Sequence, residues 1–167
     1  MRLNEGVEWA AHCLVLLAGV PEEMALSAGR LAEYHAVPAP YLAKSLQALA
    51  GAGIISSRVG RHGGYRLTRP PDEITLLDVV HAVDGEEPLF RCTEIRRQGP
   101  SRVAARQYPP VCAIAAAMRR AETAWRTELR ATTIADLAEL VRHQAPARAM
   151  QKTTAWLAGT STPSASA

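Results

Sequence analysis

The sequence predicts a mostly helical α+β protein: a winged helix-turn-helix followed by a long carboxy-terminal helix. Three observations carry this. Three segments with apolar side chains at helical spacing follow one another between residues 4 and 50, separated by sharp breaks. Two short β-prone runs then flank a basic, glycine-rich turn. Finally, Pro109-Pro110 opens a long amphipathic stretch after a loop without periodicity.

Residues 4–19 read as the first helix, with Val7, Ala11, Leu14, Val15 and Ala18 apolar, and Gly19-Val20-Pro21 stops it. Ser27 is a plausible N-cap for a second helix carrying Leu31, Ala32 and Tyr34, ending at Ala36-Val37-Pro38. A third helix has Pro40 in its first turn, where a missing N–H does no harm, and ends at Gly51-Ala52-Gly53. Its Leu42, Leu46 and Leu49 form an inward stripe. The runs 54–59 and 65–68 flank Gly60-Arg61-His62-Gly63-Gly64 as a hairpin. Thr75 through Asp84 forms a short helix closed by Gly85. Residues 86–110 are read as a loop. In the long helix, residues 111–131, Ile114, Met118, Ala121, Trp125 and Leu129 make a stripe with Arg119, Arg120, Arg126 and Arg130 off it. Thr133 to Asp136 is a capping-box pattern opening a last helix through Val141. The division expected is 1–85 DNA-binding, 86–110 cofactor loop, 111–143 dimerisation helices and 144–167 a mobile tail.

Charge and composition narrow the function. The chain has 167 residues and a net charge of +3. Residues 27–69 carry six basic side chains against Glu33 alone, whereas residues 70–90 carry six acids and no Lys or Arg. A basic excess focused on one segment points to a polyanionic partner, although a solvated basic face gives the same count. No apolar run approaches the roughly 20 residues of a membrane span. The opening Met1-Arg2-Leu3-Asn4-Glu5 is not that of a signal peptide, so a cytoplasmic protein is expected. Three cysteines cannot all pair within the chain. The motifs of a phosphate loop, a zinc protease or a serine hydrolase are absent, which argues against an enzyme.

Residues 39–50 have the two faces that a groove-reading helix needs. Tyr41, Lys44, Ser45 and Gln47 are expected to point outward to DNA, opposite the leucine stripe. Gln can read adenine bidentately, and Lys can read guanine or a phosphate. The hairpin tip adds Arg58, Arg61 and His62 on a backbone that Gly60, Gly63 and Gly64 let approach DNA closely, with Tyr65 beside them. Ser27 completes the candidate DNA-binding set. Either half alone also fits a generic helical hairpin or an ordinary β-turn. Their order and charge favour double-stranded DNA.

The run Ser27, Leu31-Ala32, Val37-Pro38-Ala39-Pro40-Tyr41-Leu42-Ala43-Lys44, Leu46, Leu49, Gly53-Ile54-Ile55, Ser57, Gly60, Gly63-Gly64-Tyr65, Leu67, Pro70 resembles one family. These are the bacterial winged-helix regulators that include IscR and NsrR. Ile74-Thr75-Leu76, Asp78-Val79-Val80, Ala82-Val83 and Gly85 continue the likeness, which covers about residues 1–141. The resemblance implies a homodimeric transcriptional repressor on a pseudo-palindromic operator, with half-sites roughly 34–36 Å apart or a multiple of that.

Members of this family often hold an iron–sulfur cluster through three cysteines in the loop before the long helix. Here the loop holds only Cys92 and Cys112. A cluster needs four protein ligands. Glu8 and His12, one turn apart on one helix face, are the candidates for the other two. The pattern is similar to a redox-sensing member of the family. There the resemblance implies that carboxylate and imidazole from one protomer meet two thiolates from the other around a 2Fe–2S cluster. Each residue also has a plainer reading: His12 in the core, Glu8 as a surface acid, Cys112 as a small hydrophobe, Cys13 as packing. A helix start at Cys112 and Arg91 beside Cys92 would both favour thiolate. Trp9, between the two amino-terminal candidates, is the candidate for redox coupling to the DNA-reading unit. A cluster-free regulator with a zinc or thiol switch at the two cysteines is the competing expectation.

Overall fold

The computed structural model describes residues 3–21, 23–58, 60 and 63–160. Arg61 and His62 at the hairpin tip lie outside the described residues. Helix α1 spans Glu5–Ala18, and the Asn4 side chain caps it by accepting from the Gly6 N–H at 2.8 Å. Glu5 and Glu8 in its first turn suit the positive end of the helix dipole. Helix α2 spans Ala28–His35 with Ser27 as its N-cap, and α3 spans Ala39–Gly51 with Pro40 in its first turn. Ala36 turns the chain between them in the left-handed region, φ 52°.

The wing is an antiparallel pair, β1 (Ile55–Arg58) and β2 (Gly64–Leu67), in register Ile55 to Leu67 and Arg58 to Gly64. It is stitched to the chain before α2 by two backbone bonds, Leu26 N–H to the Tyr65 carbonyl at 3.1 Å and Tyr65 N–H to the Leu26 carbonyl at 2.8 Å. Gly64 makes the stitch possible. Its φ is 153°, and a Cβ there would sit 2.5 Å from the Leu26 carbonyl carbon.

Helix α4 (Leu76–Asp84) opens on a capping box of Thr75 and Asp78. The long helix α5 spans Ala113–Ala131, and α6 (Ile134–Gln144) opens on the expected box of Thr133 and Asp136. The core gathers Ala10, Cys13, Leu14 and Leu17 of α1, Leu31 of α2, Leu42, Leu46 and Leu49 of α3, Ile54, Ile74 and Val79. Each fully buried aliphatic side chain contributes roughly 1.5–3 kcal/mol.

Helix α6 turns back from α5. It returns to pack on α1, its Ile134 is fully buried in the core, and backbone bonds from Leu76 N–H to the Thr132 carbonyl and from Ile134 N–H to the Ile74 carbonyl, both 2.8 Å, fasten it. One expectation about the carboxy-terminal third needs correction: residues 147–160 are not a mobile tail. Residues Ala147–Thr160 form helix α7, which packs Trp156 against Tyr34 of α2 with ring centroids 4.9 Å apart. Its Ala-rich composition is that of a good helix former, and one aromatic anchor docks it. Residues 161–167 of the expected tail lie outside the described residues. Among the described residues, no helix is long and apolar enough to cross a membrane.

Replacing Gly64 with Ala should lower the unfolding free energy by about 1–3 kcal/mol, because the left-handed strain and the Leu26 contact coincide. Urea denaturation of the variant beside wild type measures it.

Candidate functional site

On α3, Tyr41, Lys44 and Gln47 are exposed on one face, as expected of a groove-reading helix. The Lys44 ammonium lies 5.7 Å from the Tyr41 ring centroid, a cation–π contact that keeps both tips on that face. Ser45 departs from the expectation. It is buried at 5% exposure, three residues on from Leu42 on the inward stripe, and faces α1. A Cβ at Gly6 would sit 2.7 Å from its Oγ. Ser45 is therefore a close-contact residue between α1 and α3, not a reader.

Ser27 and Arg58 are exposed. The Ser27 hydroxyl accepts from the Arg30 N–H at 3.2 Å, so it caps α2. Gly63 and Gly64 serve the wing itself. A Cβ on Gly63 would collide with the Arg58 carbonyl, and one on Gly64 with Leu26. Tyr65 is half-buried and packs against the core next to the stitch. These glycines hold the hairpin's shape, a reason distinct from the close approach to DNA expected of them.

The two loop cysteines meet. The Cys92 thiol lies near enough to that of Cys112, the N-cap residue of α5, to act on its titration. The Cys112 pKa lies below the ordinary thiol value, held down first by the Ala115 backbone N–H, then by that of Ile114, by the Cys92 thiol and by the Arg96 guanidinium, against a smaller opposing effect of burial. The cation that acts is Arg96 rather than Arg91. Arg91 is turned toward Glu87, 3.7 Å away. Arg96 is fixed by Glu94 at 2.8 Å and by the Pro109 carbonyl at 2.8 Å, and stacks 5.3 Å from the Tyr108 ring centroid. The Tyr108 hydroxyl in turn donates to the Arg96 carbonyl at 2.7 Å. Sequence reasoning missed this Arg96–Tyr108 pin, since nothing in the spacing distinguishes Arg96 from its neighbours.

Glu8 and His12 are both exposed, so His12 is not a core histidine. Its ring lies 5.7 Å from that of His35. Burial and the nearby His12 charge push the His35 pKa down. Cys13 is fully buried and its pKa is pushed up to about 12 by burial, which fits the packing reading. Among the described residues, no three His, Cys, Asp or Glu side chains of one chain gather where they could hold a metal ion. Trp9 is half-buried and lines, with Tyr41, Lys44 and Ser45, a cavity of about 280 Å³ between α1 and α3.

A second polar cluster joins the halves of the molecule. The Arg126 guanidinium of α5 reaches His81 Nε2 of α4 at 2.6 Å, the Glu86 carbonyl at 3.2 Å and Glu122 at 3.0 Å. It thereby ties the start of the loop to both helices.

Residues 3–140 match the family described as Rrf2, iron-dependent transcriptional regulator. The chain belongs to the Rrf2 family. Its relatives are transcriptional regulators rather than enzymes. The HTH-type regulator YwgB of Bacillus subtilis is 34% identical over 91 residues, 54% of this chain. That stretch spans 58% of YwgB, so the chain matches little more than half of that relative's length. Among solved structures, CymR, the global cysteine regulator of B. subtilis, superposes with a TM-score of 0.67 at 24% identity, covering 84% of this chain and 98% of that one. The IscR of T. potens superposes with a TM-score of 0.65 at 18% identity, covering 90% of this chain and 96% of that one. At these identities the two structures establish the shared winged-helix fold. Helix α7 lies beyond the residues that match the Rrf2 family.

The three thiols should separate on alkylation with iodoacetamide. Cys112 should reach its half-maximal rate at a pH below the ordinary thiol value, because the backbone N–H groups and Arg96 favour its thiolate. Cys13 should stay unlabelled until the protein unfolds. Cys92→Ala removes one of the groups that stabilise the Cys112 thiolate, so it should move the Cys112 midpoint to higher pH. Mass spectrometry of peptides across a pH series checks all three.

Proposed function

We propose that this Rrf2 regulator is a redox-sensing repressor in which Glu8, His12, Cys92 and Cys112 hold a 2Fe–2S cluster across a homodimer. The observation that carries the reading is the paired environment of the ligands. Two thiols already meet at a helix start that favours thiolate, while the carboxylate and imidazole stand exposed one helical turn apart. One chain does not assemble the set among its described residues, so a second copy has to complete it. Helix α5 offers the surface for that copy. Ile114 and Met118 are exposed at 64% and 41%, one turn apart on an apolar face.

A 2Fe–2S group supplies a one-electron change in charge when bound. Ligation by one imidazole and one carboxylate in place of two thiolates removes a negative charge from the ligand set, which favours the reduced form. Glu8 and His12 flank Trp9, and Trp9 lines the same cavity as Tyr41 and Lys44 of the DNA-reading helix. A shift of α1 therefore reaches the reader through one indole. On the DNA side, Tyr41, Lys44 and Gln47 enter the major groove of a pseudo-palindromic operator, and Arg58 of the wing meets phosphate.

A second reading rests on the Cys92–Cys112 contact alone. Two neighbouring thiols can lose two electrons and two protons to a peroxide or disulfide oxidant and form a disulfide, with no metal. Zinc also accepts two Cys, one His and one Glu. Colour separates these from the cluster.

Anaerobically purified protein should be coloured and contain iron, and His12→Ala or Cys112→Ala should each abolish this. Mixing the two variants should restore one intact site per mixed dimer, since its second site would carry both substitutions. A colourless wild type would leave zinc or thiols, and failure of the mixture to recover iron would remove the bridging arrangement. Trp9→Ala should bring the ratio of duplex affinities between oxidation states, on the order of 5–150-fold for a typical coupled pair, close to one, as read by fluorescence anisotropy. An unchanged ratio would remove Trp9 from the path.

A further inference from the structure

Helix α7 lies outside the matched family region and docks on α2, the first helix of the DNA-reading pair. The contact centres on Arg30. Its guanidinium carbon lies 4.0 Å from the Trp156 ring centroid, and its Nη2 donates to the Trp156 carbonyl at 3.4 Å. Its Nη1 donates to both carboxylate oxygens of Glu33, at 3.2 and 3.0 Å. The Trp156 indole N–H donates to the same carboxylate at 3.3 Å, and the Tyr34 hydroxyl shares a 2.6 Å hydrogen bond with Thr153. One helix of the chain thus stacks on a cation and fastens the acid that neutralises it.

The position of that cation matters. Arg30 stands in the first turn of α2, three residues after the exposed cap Ser27. In a helix-turn-helix the first helix crosses the DNA backbone, and cations there contact phosphate. Glu33 is the one acid between residues 27 and 69. The otherwise basic DNA-reading segment is therefore neutralised at the point where α7 covers it. The docking is also incomplete: Arg30 Nε is buried without a hydrogen-bond partner. A buried N–H left unmet works against the docked state, which suits a contact that has to open.

We propose that α7 is an autoinhibitory arm: docked on α2 it withholds Arg30 from the DNA backbone, and its release adds one phosphate contact per protomer. This rests on DNA binding through α2 and α3, and does not depend on what the cysteines hold. Phosphate contacts are independent of sequence, so a mixed-sequence duplex reads them without knowledge of the operator.

The test uses full-length wild type, Trp156→Ala, Arg30→Ala and the double variant, titrated onto a fluorescein-labelled duplex of about 30 base pairs between about 50 and 200 mM KCl. Trp156→Ala should bind several-fold more tightly at the lower salt. Its plot of log affinity against log salt should be steeper by about one per protomer. Arg30→Ala should change little in the wild-type background and cancel the gain in the Trp156→Ala background. Trp156→Phe keeps a ring but loses the N–H that holds Glu33, and should move both readouts the same way by less. Equal or weaker binding by Trp156→Ala with an unchanged slope would overturn the proposal and make α7 a plain brace. So would Arg30→Ala weakening both backgrounds equally. No duplex binding by any of these proteins would overturn the DNA-binding reading, and the arm with it.

Discussion

The arrangement depends on the burial of one helix. Helix α1 packs against α2, α3, α4, α6 and strand β2, and its Ala10, Cys13, Leu14 and Leu17 are almost wholly withdrawn from water. Five elements compete for a helix of fourteen residues, so they close around it with small side chains at the tightest point, where Gly6 meets Ser45. The solvent-facing side of α1 carries Glu8 and His12, the latter beside His35 of α2. The same packing that stabilises the DNA-reading unit therefore leaves the two candidate ligands in solvent and seats Trp9 against the reader.

Much of this was legible in the sequence because the governing signals are local. The Ser27 and Thr133 caps, the leucine stripe of α3 and the glycine-flanked wing act within a few residues of chain. The exposed reading face of Tyr41, Lys44 and Gln47 followed from the same helical period. Ser45 did not, since a small polar residue at an inward position carries no sign of the glycine that approaches it from another helix. The seat of helix α6 on α1 was not legible for a similar reason. Its apolar face fits a partner subunit as well as the chain's own core, and only the pairing of residues 74–76 with 132–134 decides between them. Helix α7 has few large apolar side chains, and Trp156 finds Arg30, Glu33 and Tyr34 across more than a hundred residues of chain.

The candidate metal centre was half legible. Cys92 and Cys112 are far apart in sequence, yet they come together because the loop folds on the Arg96–Tyr108 pin and delivers Cys92 to the start of α5. The chemistry at Cys112 then follows from backbone N–H groups that any helix start presents. What the sequence could not indicate is which arginine sits beside the sulfurs, because Arg91, Arg96 and Arg97 differ only in the turn geometry that Glu94 sets at φ 53°.

The chain's re-entry into the core after α5 has a mechanical corollary. A long helix anchored by Arg126 near one end and by Ile134 just past it cannot swing as a free lever; it moves as a crank fixed to the body that bears the reading helix. If the homodimer proposed above has its two-fold axis along α5, rotation there is passed to the body that bears α3 without the slack that a soft linker would add.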